Sequence, residues 1–73
     1  MRTFCLLRIE DESGVSGTGR VAEGIEFSNG WCALTWLSSH PSVNIYPSLS
    51  EIEFIHGHHG KTRIVFETNV IDR

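Results

Sequence analysis

Apolar and polar residues alternate with a period of two over most of this chain, the pattern of strands whose two sides meet different surroundings. Thr3 to Ile9 (TFCLLRI) is apolar and rich in strand formers, and predicts a first strand. Glu10-Asp11-Glu12-Ser13-Gly14-Val15-Ser16-Gly17 follows with three acids and two glycines, which predicts a solvated loop. A long second strand is predicted from Thr18 to Phe27. Asn29-Gly30 then offers two residues that accept positive φ, as a type I′ hairpin turn requires. With Ser28 and Trp31 flanking a two-residue turn, Phe27 is expected opposite Cys32, Ile25 opposite Leu34, and Glu23 opposite Trp36. That register gathers Ile25, Phe27, Cys32, Leu34 and Trp36 on one apolar side, and Trp31, Ala33 and Thr35 on the other. Gly24, inside the strand, is expected to mark a bulge or tight bend.

Past Leu37, Ser38-Ser39-His40-Pro41-Ser42 reads as a turn, and Val43 to Tyr46 as a short fourth strand ended by Pro47. The period then changes. Ser48-Leu49-Ser50-Glu51 has the form of a capping box, with Leu49, Ile52 and Ile55 at helical spacing and Gly57 as a stop. A helix of about two turns is predicted over Leu49 to His56. Residues 57–61 (GHHGK) predict a tight turn, Thr62 to Glu67 the last strand, and Asn69 to Arg73 a fraying end. The fold class is mainly β. Five strands with a short helix before the last suggest a small antiparallel SH3-like barrel, or an open, bent sheet carrying the helix on one face. An OB-type barrel fits less well, because its helix normally lies between the third and fourth strands. The expected core is Leu7, Ile25, Phe27, Leu34, Trp36, Ile45, Ile52, Ile64 and Phe66.

Seventy-three residues allow a single domain, near the lower size limit for an unaided core. With 40% hydrophobic and 21% charged residues, the chain has a globular composition. A net charge of −3 argues against a general nucleic-acid coat, which needs a basic surplus. No apolar run approaches the roughly 20 residues of a membrane span, and no cleavage-type leader is recognisable. Two cysteines are too few for a disulfide scaffold. These features predict a small cytoplasmic domain.

Ser13-Gly14-Val15-Ser16-Gly17-Thr18-Gly19-Arg20-Val21-Ala22-Glu23-Gly24 is a distinctive run. So are Phe27-Ser28, Cys32-Ala33-Leu34, Trp36-Leu37, Ile55-His56-Gly57-His58 and the Gly60 to Val65 segment GKTRIV. Together they resemble a group of short proteins of bacteriophages and bacterial genomes. The resemblance implies a cytosolic accessory protein of phage origin, and brings with it no activity, cofactor or catalytic residue.

Several constellations invite chemistry. His56, His58 and His59, with His40 elsewhere, are candidate Zn²⁺ or Ni²⁺ ligands, since neutral imidazole binds such ions near pH 7. A structural zinc wants four ligands, and the remaining candidates are Cys5, Cys32, His40, Glu51 and Glu53. The plainer reading is a helix end with His56 placed favourably near the C-terminal dipole, so neither metal nor cofactor is expected. No spacing selects a hydrolytic triad from Ser38, His40 and Glu51, and no nucleophile elbow is present. Cys5 and Cys32 lie in apolar strands, where thiols are inert. Ser16-Gly17-Thr18-Gly19-Arg20 enters a strand rather than a helix, so it is no phosphate loop. An enzyme is therefore not expected. Two binding readings remain. A protein partner, a host protein or a second copy, would use Trp31 as exposed anchor, Tyr46 and Arg63 at the rim, and the acidic Glu10, Asp11 and Glu12 against a basic surface. The alternative is nucleic acid held by Arg20, Lys61 and Arg63, with Trp31 and Tyr46 for stacking.

Overall fold

The computed structural model describes residues 1–9 and 18–67; the acidic loop and the C-terminal residues 68–73 lie outside them. The elements are β1 (Arg2–Arg8), β2 (Gly19–Glu26), β3 (Cys32–Trp36), β4 (Val43–Tyr46), α1 (Leu49–His56), a short 3-10 turn (His58–Gly60) and β5 (Thr62–Phe66). The five strands form one antiparallel sheet in the order β4-β3-β2-β1-β5. The sheet is not closed. α1 packs against both edge strands, β4 and β5, so it lies where a barrel would need those strands to pair. The architecture is thus the open, bent sheet rather than the closed SH3-like barrel.

α1 begins and ends where the sequence predicts. Ser48 Oγ accepts a hydrogen bond from the Glu51 N–H at 3.1 Å, which satisfies one donor of the first turn. Gly57 follows in a right-handed conformation (φ −70°), so positive φ is not why glycine stands there. A Cβ at Gly57 would collide with the Glu53 carbonyl oxygen. The left-handed residues lie further on, at His59 (φ 56°) and Gly60 (φ 90°).

The β2–β3 hairpin corrects the two-residue turn. The Gly30 N–H donates to the Phe27 carbonyl at 2.9 Å, and the Phe27 N–H donates to the Trp31 carbonyl at 2.7 Å. Gly30 has φ +96°, whereas Asn29 does not have positive φ. The loop is therefore Ser28-Asn29-Gly30, a tight turn followed by a left-handed glycine. The register moves with it: Glu26 pairs with Cys32, Gly24 with Leu34, and Ala22 with Trp36. A one-residue slip turns every side chain of a strand to the other face. Ile25 accordingly lies opposite Ala33 on the side away from the helix, and Phe27 is 41% exposed.

The core lies between the sheet and α1. Phe4, Leu6, Ala22, Cys32, Leu34, Tyr46 and Ile52 are buried there, with Trp36, Leu49 and Ile64 packed against them. Of the expected core, Leu7, Phe27 and Ile45 are exposed, because the pairing sends them to the uncovered face. Phe66 is on the inner side but exposed at its margin. There it meets Phe4 edge-on and the Arg2 guanidinium covers its ring at 4.0 Å. Phe4 was not among the expected core residues, yet it is fully buried. Gly24 explains its fit: a Cβ there would overlap the Phe4 ring and approach the Ala33 carbonyl to 2.9 Å. Gly24 makes room for an aromatic ring, and the irregularity expected at Gly24 lies instead where Leu6 pairs with Ala22 and Leu7 with Arg20.

Two outcomes test this register. Phe4→Ala is expected to cost about 3–5 kcal/mol and Phe27→Ala no more than about 1 kcal/mol, read as shifts of the urea midpoint. Equal losses would restore the two-residue turn. Gly30→Val is expected to destabilise by roughly 1–3 kcal/mol although its side chain would meet nothing within 4 Å, because a β-branched residue resists φ +96°. An unchanged melting temperature would show that Gly30 is not held there.

Candidate functional site

The pairing gives the sheet two unlike faces. The outer face carries Phe27 and Trp31 at its hairpin end, Thr3, Ile25, Ala33 and Ile45 across its middle, and Leu7 with Arg63 at its far end. Met1 joins Phe27 and Trp31 around a shallow cavity, so three large apolar side chains meet beside the turn. Asn29 Oδ1 accepts from the Trp31 N–H at 3.1 Å and fixes the backbone under the indole. A second shallow groove, of about 380 Å³, runs over Gly24, Ile25, Ala33 and Thr35 and is bordered by Val43 and Glu67.

Charge on this face is concentrated in one clasp. Arg20 reaches Glu67 at 2.7 Å and Glu23 at 3.2 Å, and lies close enough to buried Cys5 to feel it electrostatically. The bond to Glu67, then its charge, push the Arg20 pKa upward. Because the clasp is solvated, its contribution to stability is small.

The residues singled out in the sequence fall in different places. Trp31 is 47% exposed on the face opposite the core. Tyr46, expected at an interface rim, is instead buried, because β4 alternation turns it toward α1 along with Asn44. Arg63 is exposed on the outer face, paired across the sheet with Leu7, which also pairs with Arg20. Arg20 and Arg63 therefore share a face, but Arg20 is held by two carboxylates. Lys61 lies in the turn before β5, where its carbonyl accepts from the Ile9 N–H at 2.7 Å. Glu10, Asp11 and Glu12 lie outside the described residues.

His56 closes the inner side. Its Nε2 lies 2.8 Å from the Tyr46 hydroxyl, and its ring stands edge-on to Trp36 (5.0 Å) and Tyr46 (5.7 Å). The imidazole thus helps fasten α1 to β3 and β4, while His59 is exposed beyond the helix. Among the described residues, no three His, Cys, Asp or Glu side chains converge. Cys5 and Cys32 are both free and buried. Burial, and then the Glu26 charge, push the Cys32 thiol up, so it stays protonated and a poor nucleophile.

Sequence reasoning missed the exposed apolar residues of α1, and Ile55, expected at the helix's apolar spacing, is among them. Phe54 is 86% exposed on the side of α1 opposite buried Ile52, and Ile55 is exposed beside it. A helical projection carries the signal, since Phe54 falls with Ser50 and Glu51 on the polar stripe.

Fold and surface define a small mainly-β domain, an open five-stranded sheet with one helix-covered face and one apolar outer face. The chain belongs to the Acb5 phage protein family, whose model matches residues 1–68. No curated protein and no solved structure matches it. None of the helices among the described residues is long and apolar enough to cross a membrane.

The Tyr46–His56 contact gives a pH prediction. Burial pushes the Tyr46 phenol above its ordinary pKa, so the fold favours the neutral form. Its contribution to stability is complete below the ordinary value of about 10 and is lost as pH rises through the folded value. Tyr46→Phe is expected to cost about 1 kcal/mol at pH 7, for the hydrogen bond, and to flatten the alkaline loss. Urea midpoints at pH 7 and above pH 10 check both parts.

Proposed function

We propose that this phage protein is a non-enzymatic binding module that occupies a host protein and modulates it. The observation that carries the reading is Phe54. A phenylalanine 86% exposed on a helix whose opposite side already holds the core does nothing for folding. Rigid aromatics in such positions are what protein interfaces use as anchors, because few rotamers are lost on burial. Ile55 is exposed on the same helix, as are Glu51 and Glu53. This composition suits a partner that offers an apolar pocket within a basic rim. The overall charge of −3 and the acids of residues 10–12 favour the same kind of surface. Trp31 lies on the other side of the sheet, so one partner of ordinary size does not bury both aromatics.

The competing reading, nucleic acid held by Arg20, Lys61 and Arg63, is weakened by the carboxylates on Arg20 and by the burial of Tyr46. Capture from host lysate with the tagged full chain, compared with Phe54→Ser, separates the two. A host protein retained by the parent is expected to be lost with Phe54→Ser, with the melting temperature unchanged. Undiminished capture, or a salt-dependent DNA or RNA gel shift abolished by Arg63→Glu, would overturn the protein-binding reading.

A further inference from the structure

The two edges of the sheet are protected differently. β4 has four residues and stands between Pro41 and Pro47. β5 has five, with no proline in or beside it. An unpaired edge is a template for another strand, and natural sheets blunt it with proline, a bulge or an inward-pointing charge. β5 carries none of these. Thr62, Ile64 and Phe66 point inward, and the pairing with β1 runs without a shift from Arg8–Thr62 to Phe4–Phe66.

The ladder shows which backbone groups of β5 are free. The Glu67 N–H donates to the Thr3 carbonyl at 3.0 Å, and the Ile9 N–H donates to the Lys61 carbonyl at 2.7 Å. In an antiparallel pair, residues that exchange hydrogen bonds recur at every second position. Arg63 and Val65 therefore bond to Leu7 and Cys5, whereas Thr62, Ile64 and Phe66 turn their N–H and C=O to the open side. The Thr62 N–H is taken by the Gly57 carbonyl at 3.0 Å, so the turn after α1 closes that end of the edge. Ile64 and Phe66 each keep an N–H and a C=O that meet no other group among the described residues.

We infer that β5 pairs with the β5 of a second copy, antiparallel, about a two-fold axis that passes beside Val65. The free groups set this register. Ile64 of one copy faces Phe66 of the other, each such pair exchanges both its N–H···O bonds, and the contact stops short of the closed Thr62 end. The same register matches the side chains. Arg63 is exposed and, unlike Arg2 and Arg20, meets no carboxylate among the described residues. It falls opposite Glu67 of the second copy, as an opposite-charge cross-strand pair. Glu67 belongs to the cluster of Arg20, Glu23 and Glu67, with one positive and two negative charges. The incoming guanidinium brings that cluster to neutrality, and the axis does this on both copies. Val65, 40% exposed, meets its own copy, and Phe66, 39% exposed, meets Ile64. Sliding the strands to pair Ile64 with Ile64 sets Arg63 against Val65, and Phe66 against the occupied Thr62. A second copy is thus selected by chemistry: one register supplies the donors, acceptors, carboxylate and apolar cover that this edge lacks. The inference does not depend on the host-binding reading, which uses Phe54 on α1.

Sedimentation equilibrium of the untagged full chain between about 1 and 500 µM tests it, a window that covers micromolar to sub-millimolar dissociation constants. The expected mass at the upper end is twice the 8.2 kDa of the chain. Arg63→Glu sets like charges opposite each other twice and is expected to weaken association by roughly 10-fold or more, with unchanged far-UV circular dichroism. Val65→Cys tests the register. Residues facing each other without hydrogen bonds have Cα atoms about 4.5 Å apart, within reach of a disulfide. Oxidised glutathione is therefore expected to convert Val65→Cys to a covalent dimer, while Ile45→Cys, 59% exposed on the other edge strand, stays monomeric. The native Cys5 and Cys32 are buried and do not compete. Phe54→Ser is expected to leave the mass untouched, which separates a failure of this inference from a failure of the host-binding reading. An 8.2 kDa species of the unaltered chain at every concentration overturns the inference. So does a dimer indifferent to Arg63→Glu, or a Val65→Cys chain that crosslinks no faster than Ile45→Cys.

Discussion

The left-handed glycine at position 30 decides which residues of this small chain meet each other. With Gly30 at φ +96° the loop is three residues long, and that length sets the β2–β3 register. Since β1 pairs with β2, and β5 with β1, the assignment carried by β2 passes to every other strand. Phe4 reaches the core because it pairs with Gly24, which the register turns inward. Leu34 and Cys32 follow on β3, and Tyr46 on β4. The inner face thus receives an aromatic ring seated over a glycine, and the outer face receives Ile25 and Phe27.

α1 completes what the sheet alone leaves undone. An open sheet of five short strands has a core only if something lies across its inner side. Ile52, fully buried, is the centre of that contact, and His56 fastens the far end through Tyr46 and Trp36. Because the helix fills the gap between β4 and β5, the sheet bends without closing. Burial on one side is economical in chain length and leaves the other side as surface, which is where function can be housed without disturbing the core.

Much of this is legible in the residues, and the errors of the β2–β3 hairpin share one cause. Strand positions, β4 over Val43–Tyr46 and α1 over Leu49–His56 follow from periodicity, the Ser48 cap and the flanking prolines. What failed was parity. Asn29-Gly30 serves a two-residue turn and a three-residue turn equally well on paper, and the choice rests on whether Asn29 or only Gly30 takes positive φ. The two-residue turn also gives the more apolar inner face. A chain that spends apolar residues on an outer surface defeats any argument that sends them inward. Two misses lie apart from the hairpin: Phe54, whose place on the polar stripe of α1 is readable, and Tyr46, expected at a rim but turned inward by β4. The clasp of Arg20 with Glu67 was beyond sequence reading, since the two come together only across β1.

The prolines around β4 have a consequence for assembly. Pro41 and Pro47 bracket four residues of edge strand, and Pro offers no N–H to a neighbouring chain. Head-to-tail sheet extension needs both edges of each molecule, one for each neighbour. Shortening a single edge is enough to stop that kind of polymer, whatever the β5 edge does. Association is thereby channelled away from open-ended fibres, so the chain can carry an apolar sheet face without seeding open-ended aggregation.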